Sequence, residues 1–159
     1  MKSDFVFFWG GTYSQWFPSK FTIDGVEYCT AEQYMMAKKA LLFNDNDAYE
    51  KIMATKDSRK QKAIGRTVKG FDVNKWSEVS RDYVYQANYA KFTQNPVMLK
   101  ELLATDGKTL VEASPEDTIW GIGLDKNDPR AWNKSTWLGS NWLGETITKV
   151  REDLIDAGY

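Results

Sequence analysis

Histidine is absent from this 159-residue chain, and cysteine occurs once, at Cys29. Ser-His-Asp and Cys-His dyads are thereby excluded, as is every His-bearing metal site, and a single cysteine forms no internal disulfide. Long hydrophobic runs are missing too. Nothing approaches the ~20 apolar residues of a membrane span. The N-terminal run Phe5–Trp9 is shorter than a signal-peptide core and follows Asp4 rather than a basic segment. Nor is there an excess of charge of one sign: 21 Lys+Arg stand against 22 Asp+Glu, for a net charge of −1. No global field holds such a chain on a nucleic acid or an anionic membrane, so any nucleic-acid contact has to be local. With four prolines and no Pro/Gly/Ser-rich linker, residues 1–159 read as one soluble domain, cytoplasmic and without a membrane partner.

What is present is aromatic. Seven Trp, eight Tyr and eight Phe are ample for a core in a chain that buries roughly 68–70% of its unfolded surface. Chemistry is left to carboxylates, Lys, Arg, Tyr, Ser/Thr and backbone groups. Phe5–Trp9 reads as a strand. Phe21-Thr22-Ile23 and Val26-Glu27-Tyr28 flank Asp24-Gly25, the two-residue type I′ hairpin signal. Thr30-Ala31-Glu32-Gln33 fits a capping box, with Gln33 reaching back to the cap, and opens a helix through about Leu42. Asp45–Ala54 and Asp57–Gly65 read as short helices. Trp76, Val79, Tyr83, Ala87 and Ala90 predict a long helix over about Asn74–Thr93. Asn95-Pro96 caps another through Leu103. Thr109–Ala113 reads as a short strand and 115–141 as a Trp/Gly-rich loop. A last helix from about Gly144 carries the stripe Leu143, Ile147, Val150 and Leu154. The fold class is α+β, predominantly helical, with a small N-terminal β element and that loop before the C-terminal helix.

Two phosphate motifs fail. Gly121-Ile122-Gly123 lacks its third glycine and its βαβ setting, and Gly139–Gly144 has P-loop spacing with Glu145 in place of the lysine. What survives is a glycine-bounded loop entering a helix N-terminus, either a place for a phosphate or a tight turn packed by Trp142. Glu32 and Lys39 are seven apart on a predicted helix, a turn of ~700° that returns both to one azimuth. They face either a pocket or, with Lys38, solvent. Arg66 follows a short helix and offers a guanidinium fork suited to phosphate. Glu112 and Asp117 bracket the strand-to-loop junction, as site acids or as turn carboxylates. Cys29 reads as a small buried hydrophobe.

The succession of these segments resembles the NADAR (YbiA-like) family. It runs from Ser14-Gln15-Trp16-Phe17 through Tyr28-Cys29-Thr30-Ala31-Glu32-Gln33-Tyr34 with Ala37 and Lys39, then Ile64-Gly65-Arg66, Trp76 and Ala90-Lys91-Phe92. It ends with Leu110-Val111-Glu112-Ala113-Ser114, Asp117, Trp120-Gly121, Gly123, Trp137-Leu138-Gly139, Asn141, Leu143-Gly144 and Val150-Arg151. The resemblance implies an N-glycosidase. It cuts the C1′–N bond between a 5′-phosphorylated ribose and an exocyclic nitrogen, either releasing ADP-ribose from guanine or cleaving a ribosylamino-pyrimidine phosphate of riboflavin synthesis. A non-catalytic ADP-ribose or NAD sensor is the reading of another class. The partners implied are a small nucleotide or ADP-ribosylated guanine in nucleic acid, with no cofactor, no metal and no stable protein partner. The resemblance makes Lys39, Glu32, Glu112 and Asp117 the catalytic candidates. It places substrate on Trp9, Gly10, Tyr34, Arg66, Trp120, Gly121, Gly139, Ser140, Asn141 and Gly144. Gln15, Trp16 and Gln33 depart from the family, which commonly has Asn-Phe in the first segment and often a histidine after the helix glutamate.

For such a bond, a neutral Lys39 amine forms a Schiff base with the ring-opened ribose. An ordinary lysine supplies that amine in only about one molecule in a thousand at neutral pH. Burial among Met35, Met36 and aromatics therefore has to lower its pKa. A carboxylate from Glu32, Glu112 or Asp117 protonates the departing nitrogen and then activates water. A route without the covalent step, in which carboxylates stabilise an oxocarbenium ion and direct water, stays open.

Overall fold

The computed structural model describes residues 4–159. In chain order the elements are β1 (Phe5–Phe8), β2 (Phe21–Ile23), β3 (Val26–Tyr28), α1 (Ala31–Leu42), α2 (Asn46–Ala54), α3 (Ser58–Gly65), α4 (Val73–Thr93), α5 (Pro96–Leu103), β4 (Thr109–Glu112) and α6 (Trp142–Asp156). Two 3-10 turns, Pro129–Trp132 and Lys134–Thr136, punctuate the loop before α6. The fold is α+β and predominantly helical. Among the described residues no helix is long and apolar enough to cross a membrane. The chain forms two compact units, one of the residues up to Ser14 together with Pro96–Tyr159, the other of Gln15–Asn95.

In the unit of Gln15–Asn95, β2 and β3 pair antiparallel with Phe21 opposite Tyr28. Asp24 and Gly25 both adopt positive φ, 50° and 79°, as the type I′ turn demands. Side chains of Thr30, Asp45, Asp57 and Asp72 each accept an amide from the first turn of α1, α2, α3 and α4, and each such cap is worth about 1 kcal/mol. The predicted capping box of α1 forms by half. Thr30 takes the Gln33 amide, but the Gln33 carboxamide accepts from Cys29 N and donates to the carbonyls of Ile52 and Thr55. It ties α1 to the end of α2 instead of closing on the cap. Helix α1 packs against α2, α3 and α4, so residues 31–37 are all buried whatever their polarity. Lys38 is half-buried, its Nζ 5.4 Å from the Tyr34 ring. Cys29 is half-buried, its Sγ accepting from Gln61 Nε2.

In the other unit β1 and β4 pair in parallel, Phe5 opposite Thr109 through Phe8 opposite Glu112. The loop after β4 wraps an apolar cluster of Val111, Ala113, Ile122, Leu124 and Ala131, flanked by Phe5, Phe7, Trp132 and Trp137. Helix α6 buries Leu143, Ile147, Val150 and Leu154 completely. It starts at Trp142, two residues ahead of the predicted start, because Asn141 turns the chain in the left-handed region (φ 53°). Arg151, 2% exposed, donates to the carbonyls of Thr105 and Lys108 and so pins the α5–β4 connection to α6.

Candidate functional site

Glu32 and Lys39 lie on one helix, and the tertiary packing decides what they are. Glu32 sits in the first turn of α1, 7% exposed, its amide bonded to the Gln15 carbonyl at 3.0 Å. Lys39 lies two turns on, half-buried, with its Nζ 4.5 Å from the centre of the Phe71 ring and 6.0 Å from that of Trp76. Burial drives the Lys39 pKa below the ordinary lysine value. The Glu32 carboxylate opposes this, and the nearby Arg66 guanidinium reinforces it. Among the described residues no ion pair engages the amine. Glu32 is therefore near enough to act on Lys39 by charge yet leaves it unpaired. An acid and a partly desolvated amine on one face can serve two steps of the same reaction, one giving a proton and the other a lone pair. Arg66, at the C-terminal end of α3, is exposed.

The start of α1 borders a buried polar group that the sequence reading passed over. Asn88 of α4, fully buried, donates from Nδ2 to Gln15 Oε1 (2.9 Å) and to the Val84 carbonyl, while its Oδ1 is buried and accepts no hydrogen bond. Lys91, one turn further, is also fully buried, its Nζ 5.3 Å from the Phe92 ring and 6.0 Å from the Phe17 ring. Buried lysines are rare and costly. The one sequence signal for these residues is their occurrence on the same face as Val84 and Ala87 of a helix whose apolar stripe is otherwise clear. Tyr34 takes a core role: it is 1% exposed, packs edge-on to Tyr28 and donates its hydroxyl to Gln86 Oε1 at 2.6 Å.

In the other unit the loop residues resolve into a clasp. Asn141, fully buried, accepts the Glu112 amide on Oδ1 (2.9 Å) and donates from Nδ2 to the Leu110 carbonyl (3.0 Å). The amides of Ser140, Asn141, Trp142 and Leu143 donate to the carbonyls of Thr118, Gly121, Ile119 and Trp120. Four of the five amides of Ser140–Gly144, where a phosphate loop is expected, are thus committed to the chain itself. The glycines serve close approach: a Cβ on Gly144 would lie 2.1 Å from the Leu110 carbonyl oxygen, and one on Gly139 2.3 Å from that of Gly121. Gly121 lies against the Glu112 carboxylate, where a Cβ would come within 2.8 Å of Oε2. Asp117 is a turn carboxylate whose Oδ1 accepts the amides of Ile119 and Trp120. Trp120 packs edge-on to Trp142. Trp9 is 57% exposed and leads into Gly10 and Gly11, both at positive φ. It thus presents an open indole face.

The family model described as NADAR domain matches residues 7–155. The chain is 43% identical to N-glycosidase R617 of Acanthamoeba polyphaga mimivirus over 96% of its own length and 98% of that protein's. It is 40% identical to Protein irg-1 of Caenorhabditis elegans, over 89% of this chain and 74% of that one. Among solved structures it is similar to the NMR structure of the E. coli protein YbiA, with a TM-score of 0.80, 26% identity, and coverage of 99% of this chain and 88% of that one.

Proposed function

The chain belongs to the NADAR domain family and is an N-glycosidase, a hydrolase, and from that premise we propose that it removes ADP-ribose from the exocyclic amino group of guanine. The observation that carries the C1′–N cleavage shared by the guanine and pyrimidine substrates is the half-buried Lys39 amine, outside any ion pair and its pKa lowered by burial, on the same face of α1 as the buried Glu32.

In this reading a substrate ribose joined through C1′ to nitrogen opens its ring, and the neutral Lys39 Nζ adds to C1′. Glu32 delivers a proton to the base nitrogen, which departs with the electron pair of the C1′–N bond. Glu32 then takes a proton from water, whose oxygen adds to the imine carbon, and the amine leaves with the sugar as free aldehyde. The net change is one C1′–N bond replaced by C1′–O, with one water consumed. Phe71 and Trp76 shield part of the amine from solvent, and Arg66 supplies a cation within electrostatic reach of Lys39 for the substrate's phosphate. Glu112 and the open Trp9 ring are the residues of the other unit to substitute in the same assay.

The test offers ADP-ribosylated guanosine and the ribosylamino-pyrimidine phosphate side by side and measures released base by mass spectrometry. The proposal expects guanine-side release, abolished in Lys39→Ala and reduced about 10²–10⁴-fold in Glu32→Gln. Borohydride added during turnover should leave a sugar-derived mass on Lys39. Release from the pyrimidine substrate alone overturns the guanine assignment. An inactive Lys39→Ala with no trapped adduct on the parent enzyme overturns the covalent step.

A further inference from the structure

Phe71 is 44% exposed, and the rest of its ring is spent on two neighbours: the Lys39 amine, 4.5 Å from the ring centre, and Phe43, which it meets edge-on at 5.5 Å. The ring belongs to the connection between α3 and α4, residues 66–72, most of which is exposed. Such a segment keeps an aromatic cover in place only where its backbone is tied down. At one end the Arg66 and Thr67 amides bond to the Lys62 and Ile64 carbonyls of α3, and at the other Asp72 caps α4. Between these ends Val68 is buried, and the Lys69 amide donates to Asp45 Oδ2 at 2.9 Å, immediately before Gly70 turns the chain at φ 76°.

Asp45 is itself fixed. Its amide bonds to the Ala40 carbonyl of α1 at 2.9 Å, and its Oδ1 accepts the Ala48 amide to cap α2. These contacts close a circuit: from Lys39 and Ala40 on α1 through Asp45 and Lys69 to Phe71, whose ring returns to the Lys39 Nζ. The connection also carries Arg66, so one carboxylate braces both the cover and the cation of the site. The charges that act on the amine are Glu32 of α1 and Arg66 after α3. Helix α4 faces it with the Trp76 ring, on which Tyr83 stacks, and Lys75 of α4 lies over Phe43, its Nζ 5.9 Å from that ring. The Asp45 charge at the start of α2 and the π-face of Phe71 both favour the ammonium, whereas the bulk of Phe71 disfavours it by keeping water off.

We propose that Asp45 is a positioning residue for this site: by holding the Lys69 amide it seats Phe71 over Lys39 and keeps the amine shielded from water. The proposal rests on Lys39 as the reacting amine and deepens that reading.

The test titrates Lys39 without turnover. Acetic anhydride labels the amines in competition with a reference amine across pH, and fragment spectra separate Lys39 from Lys38. Asp45→Ser keeps a cap for α2 but cannot reach Lys69. It is expected to raise the Lys39 midpoint by about 1 pH unit, with kcat/KM for base release falling about tenfold at neutral pH and recovering as pH rises. The sign is diagnostic, since loss of the Asp45 charge alone lowers the midpoint. Phe71→Ala raises it likewise, whereas Phe71→Leu, which keeps the bulk and drops the cation–π attraction, leaves it at or below that of the parent. Asp57→Ala removes the equivalent cap from α3 and leaves the midpoint in place. Asp45→Asn, with one acceptor oxygen left, repeats the measurement on a milder change, and circular dichroism checks each fold. A midpoint that stays or falls in both Asp45 variants, with the helices intact, overturns the proposal. So does an equal rise in Asp57→Ala, which makes the effect one of general loosening. A midpoint that rises in Asp45→Ser and Phe71→Ala while kcat/KM keeps the parent's pH profile leaves the seat standing and removes Lys39 as the nucleophile instead.

Discussion

At the scale of single residues, Lys39 is where stability and function oppose each other. Its pKa is lowered by burial, so the folded protein binds fewer protons than the unfolded chain between that lowered value and the ordinary 10.5. Stability therefore rises with pH through this window, and at neutral pH the amine is a cost to folding. Replacing it with methionine keeps the stem and removes the buried charge. Lys39→Met is expected to raise the melting temperature by roughly 1–3 °C while reducing base release by about 10³-fold or more. Calorimetry and the release assay on one preparation check both. The same lysine predicts that kcat/KM climbs with pH as the amine loses its proton, with a midpoint below the ordinary lysine range. A profile that rises only near 10.5 would remove Lys39 as nucleophile. The Glu32–Lys39 spacing was legible in the sequence, because seven residues return to one face of any helix. The burial of Gln15, Asn88 and Lys91 was not: a polar residue in a turn or on a helix reads as exposed, and only the packing around α1 and α4 reveals which of them lost water.

At the scale of elements, the loop from β4 to α6 shows how one sequence pattern serves two readings, a phosphate loop and a tight turn. Glycines at P-loop spacing announce that a backbone must approach something closely. In this chain that something is the backbone of Leu110, Thr118 and Gly121, and the amides of Ser140, Asn141, Trp142 and Leu143 are spent on carbonyls of the same loop. Gly144→Ala places a Cβ against the Leu110 carbonyl and is expected to cost about 1–3 kcal/mol. Asn141→Ala strands the Leu110 carbonyl and the Glu112 amide and is expected to cost about 2–5 kcal/mol. Denaturant unfolding measures both, and the folded fraction of each variant should keep its KM within about twofold. A KM effect without a stability effect would restore the phosphate reading. The local elements were legible because their signals are local: Asp24-Gly25 sets the hairpin, and Thr30, Asp45, Asp57 and Asp72 set helix starts. The parallel pairing of β1 with β4 was not, since Phe5 and Thr109 are joined by register alone across the length of the chain.

At the scale of the whole molecule, a chain without histidine has few groups that change charge near neutrality. The groups with shifted pKa values set its limits at the two ends of the pH scale. Asp45 is held below the ordinary carboxylate value by the amides of Lys69 and Ala48, and Asp128 by Arg130. Their stabilisation is present above the ordinary value of 3.8 and is lost as pH falls below it. At the other end burial raises Tyr13, Tyr28 and Tyr34 to about 12. These tyrosines favour folding fully below their ordinary value of 10.0, and that contribution falls away as pH rises from 10.0 toward 12. Because Tyr13 lies in one unit and Tyr28 and Tyr34 in the other, alkali attacks both. Unfolding free energy measured in urea at stepped pH should therefore hold a plateau from about pH 5 to about pH 9. A shallow upward slope from Lys39 is superimposed, and it is absent from Lys39→Met. Above pH 10, the part of the tyrosinate absorbance that Tyr28→Phe and Tyr34→Phe remove should rise together with loss of helical circular dichroism, because these buried phenols ionise only as their packing opens. Tyrosinate assigned to Tyr28 or Tyr34 by that difference and forming at pH 10 with the helices intact would show that these rings are open to solvent in the folded protein, and the core described for them would have to be redrawn.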